Sequence, residues 1–209
     1  MAKPQLDYTL YLVTDRGLMS TPTLEQAVRE ACEGGVTLVQ LREKHASREE
    51  FAAIARSVKQ VTDEFGVGLI INDEPHVAAA VGAAGVHVGQ GDMPPQQVRK
   101  IVGPDAVIGV SAATVQQALQ AQADGADYLG VGAMVYTPTK PEADVCTMEE
   151  LGRILDAVEI PCVVIGGVNE RSIPGYACFT KLAGYAVVSA IIAAPDVRAA
   201  ARTLRTLIG

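Results

Sequence analysis

The sequence predicts an α/β protein folded as a single (β/α)8 TIM barrel, and three observations carry that prediction. Short β-rich runs recur along the chain, each followed by a longer helical pattern. The runs are apolar through their centres and turn polar or glycine-rich where they stop. The composition is 49% hydrophobic but only 4% aromatic, with no tryptophan. Ala, Val, Ile, Leu and Gly dominate, which suits parallel strands packed on helices better than an aromatic-cored sandwich.

In chain order the strand candidates are Thr9 to Thr14, Leu38 to Glu43, Gly68 to Asp73 and Gly85 to Gly89. Val107 to Ala112, Tyr128 to Ala133, Cys162 to Gly167 and Tyr185 to Ala190 follow. Between them lie helical segments with polar residues placed to cap them: Thr23 before Leu24 to Gly34, Ser47 before Arg48 to Phe65, and Thr147 before Met148 to Val158. Ser47 is followed three residues later by Glu50, the spacing of a capping box. Phe51, Ile54, Ala55, Val58 and Val61 then share one helical face. Strand then helix, eight times over, closes naturally into a barrel, with an open doubly wound sheet as the structural alternative. No Pro/Gly-rich linker divides residues 1–209, so one barrel domain is expected.

The formal net charge of −7 argues against nucleic acid and acidic membrane surfaces as partners. No stretch reaches the roughly 18 uninterrupted apolar residues of a membrane span, and Met1 to Asp7 lacks a signal-peptide core, so a cytoplasmic protein is expected. Cys32, Cys146, Cys162 and Cys178 show neither CxxC nor CxxxH spacing and read as small hydrophobes or inert thiols.

Barrel active sites lie at the C-terminal ends of the strands, so polar residues at those ends are the candidates. In Gln40-Leu41-Arg42-Glu43-Lys44, alternation puts Gln40, Arg42 and Lys44 on the face toward the barrel axis and mouth. Arg offers a bidentate fork and Lys a point charge, which together suit a phosphate or diphosphate; solvated loop charges are the alternative. Asn72-Asp73 ends the third strand and Asp92 follows the fourth. Singly, each Asp reads as a helix cap or turn former; together they can share a hard cation such as Mg²⁺ with substrate oxygens. Ser111 closes the fifth strand, and a polar loop after the sixth holds Thr137, Thr139 and Lys140. Gly166-Gly167 and Val188-Ser189 end the last two strands, where barrels often bind phosphate on backbone N–H groups. His87, between Val86 and Val88, reads as a satisfied core histidine rather than a catalytic base. His45 and His76 carry no assigned role. No Ser-His-Asp triad, P-loop or GxGxxG fingerprint is present.

In order along the chain, Leu10-Tyr-Leu-Val-Thr-Asp15, Gln40-Leu-Arg-Glu-Lys44, Ile71-Asn-Asp73, Gly85-Val-His-Val-Gly-Gln90 with Asp92-Met-Pro94, and Ile108-Gly-Val-Ser111 resemble the thiamine-phosphate synthase family. Gly125-Ala-Asp-Tyr-Leu-Gly-Val-Gly132, Thr137-Pro-Thr-Lys140, Ile165-Gly-Gly167 and Ala186-Val-Val-Ser189 extend the resemblance over nearly the whole chain. The sequence departs from the family pattern at Ala112-Ala113-Thr114, at Val135-Tyr136 and across Pro174 to Gly184.

The resemblance implies coupling of a 4-amino-2-methyl-5-pyrimidinylmethyl diphosphate to a thiazole phosphate, giving thiamine phosphate and pyrophosphate. It implies that Gln40, Arg42, Lys44, Asn72, Ser111 and Lys140 hold the pyrimidine diphosphate, with Arg42, Lys44, Ser111 and Lys140 serving catalysis. Asp73 and Asp92 would bind Mg²⁺, and Thr137, Thr139, Gly167, Val188 and Ser189 the thiazole phosphate. The implied partners are these two small molecules, and no oligomeric state is assigned. Three rival readings share the barrel: a thiazole tautomerase-like relative, which would not need the diphosphate set; a phosphosugar isomerase, which needs a poised acid/base pair; and a non-catalytic phosphate-binding barrel.

Overall fold

Alternation along the strands sorts the apolar side chains into two separate cores. In the computed structural model, which describes residues 3–135 and 145–209, eight parallel strands close into a barrel in the order of the chain. They are β1 (Leu10–Val13), β2 (Leu38–Leu41), β3 (Gly68–Asn72), β4 (Gly85–Val88), β5 (Val107–Ala112), β6 (Tyr128–Val131), β7 (Cys162–Ile165) and β8 (Leu182–Val187). Outward positions such as Leu10, Leu12, Val39, Leu41, Ile71, Val86, Ile108 and Leu129 join the helices in the larger core. Inward positions Tyr11, Val13, Leu38, Ile70, Val107, Tyr128, Val163 and Ala186 fill the barrel itself. The open doubly wound sheet is excluded by the pairing of β1 with β8, Tyr11 against Ala186.

The helices α1 (Leu24–Glu33), α2 (Arg48–Glu64), α3 (Pro75–Val81), α4 (Pro95–Val102), α5 (Val115–Ala123) and α6 (Met148–Ala157) follow strands one to six. Their starts are specified locally. Thr23 Oγ1 accepts from Gln26 N at 3.2 Å, and Thr147 Oγ1 from Glu150 N at 3.1 Å. The Ser47 capping box forms in full, with Glu50 N on Ser47 Oγ and Ser47 N on Glu50 Oε2. Each such cap is worth about 1 kcal/mol.

Two expectations are corrected at the end of the chain. After β7 there is a single 3₁₀ turn, Ile173–Tyr176, instead of a helix, because Pro174 and Gly175 disfavour continued α-helix. Its buried Ile173 and Tyr176 cover the core in the helix's place. Strand β8 begins at Leu182 rather than Tyr185 and stops at Val187, so Val188 and Ser189 lead into the short helix α7 (Ser189–Ile192). Helix α8 (Val197–Ile208) then completes the ring. Glycine is a poor strand former, yet Gly184 is required in β8: a Cβ there would lie 1.7 Å from the Tyr8 carbonyl oxygen.

Among the described residues no helix is long and apolar enough to cross a membrane. All four cysteines are free thiols, Cys32, Cys146 and Cys162 buried and Cys178 exposed.

Candidate active site at the barrel mouth

The strand ends converge on a cavity of about 390 Å³ at the mouth of the barrel, within the range of small-molecule sites. Gln40, Arg42, Lys44, Asn72, Asp73, Asp92, Ser111, Gly167, Val188 and Ser189 all line it. Residues from six different strand ends are thereby brought together as the sequence predicts. Thr137, Thr139 and Lys140 lie outside the described residues.

Arg42 is fixed from behind. Its backbone N–H donates to Thr14 Oγ1 at 3.1 Å, and its guanidinium sits 3.3 Å from Asp15 Oδ2. One residue along, Arg16 returns the contact to Glu43, with Nη2 2.7 Å from Oε2. The dipeptides Asp15-Arg16 and Arg42-Glu43 thus exchange crossed ion pairs between the loops after β1 and β2. Glu43 is the better buried of these acids, its side chain only 5% exposed, so losing Arg16 would strand a buried charge. The pairs hold Arg42 at the cavity wall instead of leaving it a solvated loop charge.

Asp73 leaves β3 in the left-handed region, φ 61°, unusual for a non-glycine residue and least costly for Asp and Asn. Its backbone N–H donates to the His87 carbonyl at 2.8 Å, which locks the turn. The Lys44 ammonium stands 2.8 Å from Asp73 Oδ2. Asp92 does not cap α4; Pro94 holds the cap position there without a side-chain bond. Its carboxylate instead accepts from Gly89 N at 2.7 Å, within the loop after β4. Loss of solvent pushes the Asp92 carboxyl up, opposed by the Gly89 N–H; the adjoining Asp73 carboxylate adds to the rise, and Lys44 offsets part of it. Among the described residues, these two hard oxygen donors are held together beside the Lys44 ammonium, a donor set that fits Mg²⁺.

Just past β7, Gly166 (φ 93°) and Gly167 (φ 75°) both adopt backbone that glycine alone takes freely. Space forbids a side chain as well: a Cβ would meet the Ala133 Cα at 2.8 Å from Gly166 and Val135 Cγ2 at 2.2 Å from Gly167. The Gly167 carbonyl is held by Asn169 Nδ2 at 2.8 Å and Ser172 Oγ at 3.1 Å. Ser189 lines the same cavity at the start of α7, where the Val188 carbonyl accepts from Ile191 N at 3.2 Å and Ile192 N at 3.0 Å.

Below the mouth a polar layer crosses the barrel interior. Gln40 Nε2 donates to the Tyr11 hydroxyl at 2.7 Å, and that hydroxyl lies 2.8 Å from the Tyr128 hydroxyl. Tyr128 in turn is 3.0 Å from His87 Nδ1, and His87 Nε2 is 3.0 Å from Ser111 Oγ. His87 is therefore the satisfied interior histidine expected, with both ring nitrogens engaged. Gly109 makes room for the ring beside it, since a Cβ there would fall 2.1 Å from Tyr128 Cζ. The sequence reading missed Tyr11, Tyr128 and Asp15. Alternation does signal the two tyrosines, because each shares its strand's inward face, but tyrosine among apolar neighbours reads as packing alone.

A family model described as thiamine monophosphate synthase matches residues 10–191. The thiamine-phosphate synthase of Clostridium beijerinckii is 52% identical over 203 residues, covering 97% of both chains. That of Ruminiclostridium cellulolyticum is 52% identical over 202 residues, covering 97% of this chain and 96% of the relative. Among solved structures, thiamine phosphate pyrophosphorylase from Pyrococcus furiosus superposes with a TM-score of 0.87 at 38% identity, covering 97% of this chain and 96% of that one. A 3-hexulose-6-phosphate synthase shares the fold alone, with a TM-score of 0.70 at 19% identity.

Proposed function

The chain belongs to the thiamine monophosphate synthase family, and from that footing we propose that it joins 4-amino-2-methyl-5-pyrimidinylmethyl diphosphate to a thiazole phosphate, releasing pyrophosphate. The observation that carries this reading is one cavity lined both by Arg42, Lys44 and the Asp73–Asp92 pair and by Gly166-Gly167 and Ser189.

Asp73 and Asp92 would hold Mg²⁺, which when bound offsets the negative charge of the diphosphate. Arg42, braced by Asp15, supplies a fork that grips the diphosphate oxygens, and Lys44 turns from Asp73 toward them. Their charge counts most as the CH₂–O bond breaks and the leaving group gains negative charge. Gln40, Asn72 and Ser111 orient the pyrimidine, whose electron-rich aminopyrimidine ring spreads the developing positive charge. The glycine pair and Ser189 anchor the thiazole phosphate, placing the ring nitrogen to attack the methylene carbon. Lys140, Thr137 and Thr139 are assigned by resemblance, Lys140 to the diphosphate and the threonines to the thiazole phosphate. No covalent protein nucleophile is required. This chemistry uses soluble metabolites, and we place the enzyme in the cytoplasm.

The tautomerase-like reading leaves Arg42, Lys44 and the carboxylate pair without work. Competition binding tests the assignment: with Mg²⁺ present, pyrophosphate should displace the pyrimidine diphosphate yet leave the thiazole phosphate bound. Displacement of both ligands, or of neither, would contradict separate sites for the two.

A further inference from the structure

The interior polar chain from Gln40 to Ser111 crosses five strands, and a count of its hydrogens gives it a direction. In the structure the Gln40 amide nitrogen faces the Tyr11 oxygen, so Gln40 is the donor at 2.7 Å. The one Tyr11 hydrogen is then directed at the Tyr128 oxygen, 2.8 Å away. The one Tyr128 hydrogen finds its acceptor in His87 Nδ1 at 3.0 Å. A neutral imidazole with Nδ1 bare carries its hydrogen on Nε2, which donates to Ser111 Oγ at 3.0 Å. The Ser111 oxygen is thereby engaged as an acceptor, and its own hydrogen turns to the cavity that Ser111 lines. Burial pushes both phenols well above their ordinary range, so each keeps the hydrogen the count needs.

We propose that His87 and Tyr128 are positioning residues that make Ser111 an obligate hydrogen-bond donor toward an acceptor atom of the pyrimidine diphosphate. The inference deepens the function proposed above and rests on it for the ligand alone; the tautomer of His87 is a property of the protein without substrate. Were the chain reversed, His87 Nδ1–H would donate to Tyr128, Ser111 would donate to His87 Nε2, and the Ser111 oxygen would face the ligand as an acceptor. A serine hydroxyl alone is indifferent to direction. The relay removes that indifference before substrate arrives, which is preorganisation in the sense that lowers the cost of reaching the transition state.

Two measurements on the full chain test this. The first is ¹⁵N NMR of histidine-labelled protein without substrate, with His87 assigned by the resonances lost in His87→Gln. The relay requires the hydrogen on Nε2 and a bare Nδ1; a hydrogen on Nδ1 overturns it, whether or not the protein proves to be a synthase. The second is a double-mutant cycle on the single-turnover rate with both substrates and Mg²⁺. Tyr128→Phe should slow product formation by about five- to tenfold, the worth of one oriented hydrogen bond. In a Ser111→Ala background the same change should be silent within about twofold. Equal losses in both backgrounds would show that Tyr128 acts by packing and would overturn the proposal. If Tyr128→Phe does not fold, Tyr11→Phe makes the same test, because it removes the donor that turns the Tyr128 hydrogen toward His87.

Discussion

The Lys44 ammonium rests 2.8 Å from Asp73 Oδ2, and among the described residues it is also the cation whose charge acts on the Asp92 carboxyl. Burial does most to raise the carboxyl of Asp92, the Asp73 carboxylate adds to the rise, and Gly89 N–H and Lys44 lower it in part. A divalent cation bound at Asp73 and Asp92 would favour the charged form of both and release Lys44 toward substrate. Asp92→Ala is therefore expected to cost on the order of 10²-fold in turnover. Rates measured against Mg²⁺ concentration check this, and unchanged Mg²⁺ dependence in both Asp92→Ala and Asp73→Ala would exclude the pair.

The raised Asp92 carboxyl predicts a stability effect opposite in sign to the activity effect. Because the folded protein raises the Asp92 carboxyl, the unfolded chain gives up that proton first as pH rises. Asp92 therefore weakens the metal-free fold increasingly as pH climbs from the ordinary carboxylate range, about pH 4, through its folded value. Asp92→Asn keeps an acceptor for Gly89 N–H and removes the charge. In chelator-treated protein it should raise the melting temperature at neutral pH, and the gain should vanish below the ordinary range. A melting temperature lowered equally at both ends would refute the electrostatic origin.

Arg42 should not tolerate lysine. The Arg42 guanidinium already holds Asp15, and an ammonium in its place could not also give the proposed diphosphate a planar fork. Arg42→Lys is expected to lower the single-turnover rate of diphosphate cleavage by at least about tenfold, the loss of one charge-assisted hydrogen bond. A wild-type rate would move the diphosphate site elsewhere.

Gly167→Ala should act on one substrate. The backbone at φ 75° and Val135 Cγ2 at 2.2 Å both oppose a methyl group, and the left-handed conformation alone costs an alanine about 1–2 kcal/mol. Titration calorimetry with each ligand separately should show weakened thiazole phosphate binding and nearly unchanged diphosphate binding. Equal losses would mark a general folding defect and leave the glycine pair without a ligand role.

Asp127 offers a control far from the mouth, at the base of the barrel. Its carboxylate accepts from Arg99 Nη2 at 2.7 Å and Ile108 N at 2.9 Å, and pairs with Lys3. Asp127→Ala should cost about 2 kcal/mol of folding free energy and leave the rate per folded molecule unchanged. Urea denaturation and active-site-normalised rates separate the two.

Much of the barrel and its mouth was legible because alternation and strand ends are local signals. Gln40-Leu41-Arg42 declares its inward face by polarity, and the Gly166-Gly167 pair marks a turn that no other residue makes easily. What stayed hidden depends on partners distant in the chain. Gly184 disguised the start of β8, since only the approach of the Tyr8 carbonyl explains the missing side chain. Asp92 sits where a helix cap belongs, and only the structure shows its carboxylate turned back to Gly89. The relay was beyond reach for the same reason: Tyr11 and Tyr128 are 117 residues apart, and nothing near either in sequence announces the other.

In the proposed reaction one cavity binds both substrates and joins them. ³¹P NMR of the protein with pyrimidine diphosphate, thiazole phosphate and Mg²⁺ tests it most directly. Free pyrophosphate and thiamine phosphate should appear in equal amounts, and only when both substrates are present. Two substrates left unchanged, or pyrophosphate released without coupled product, would contradict it.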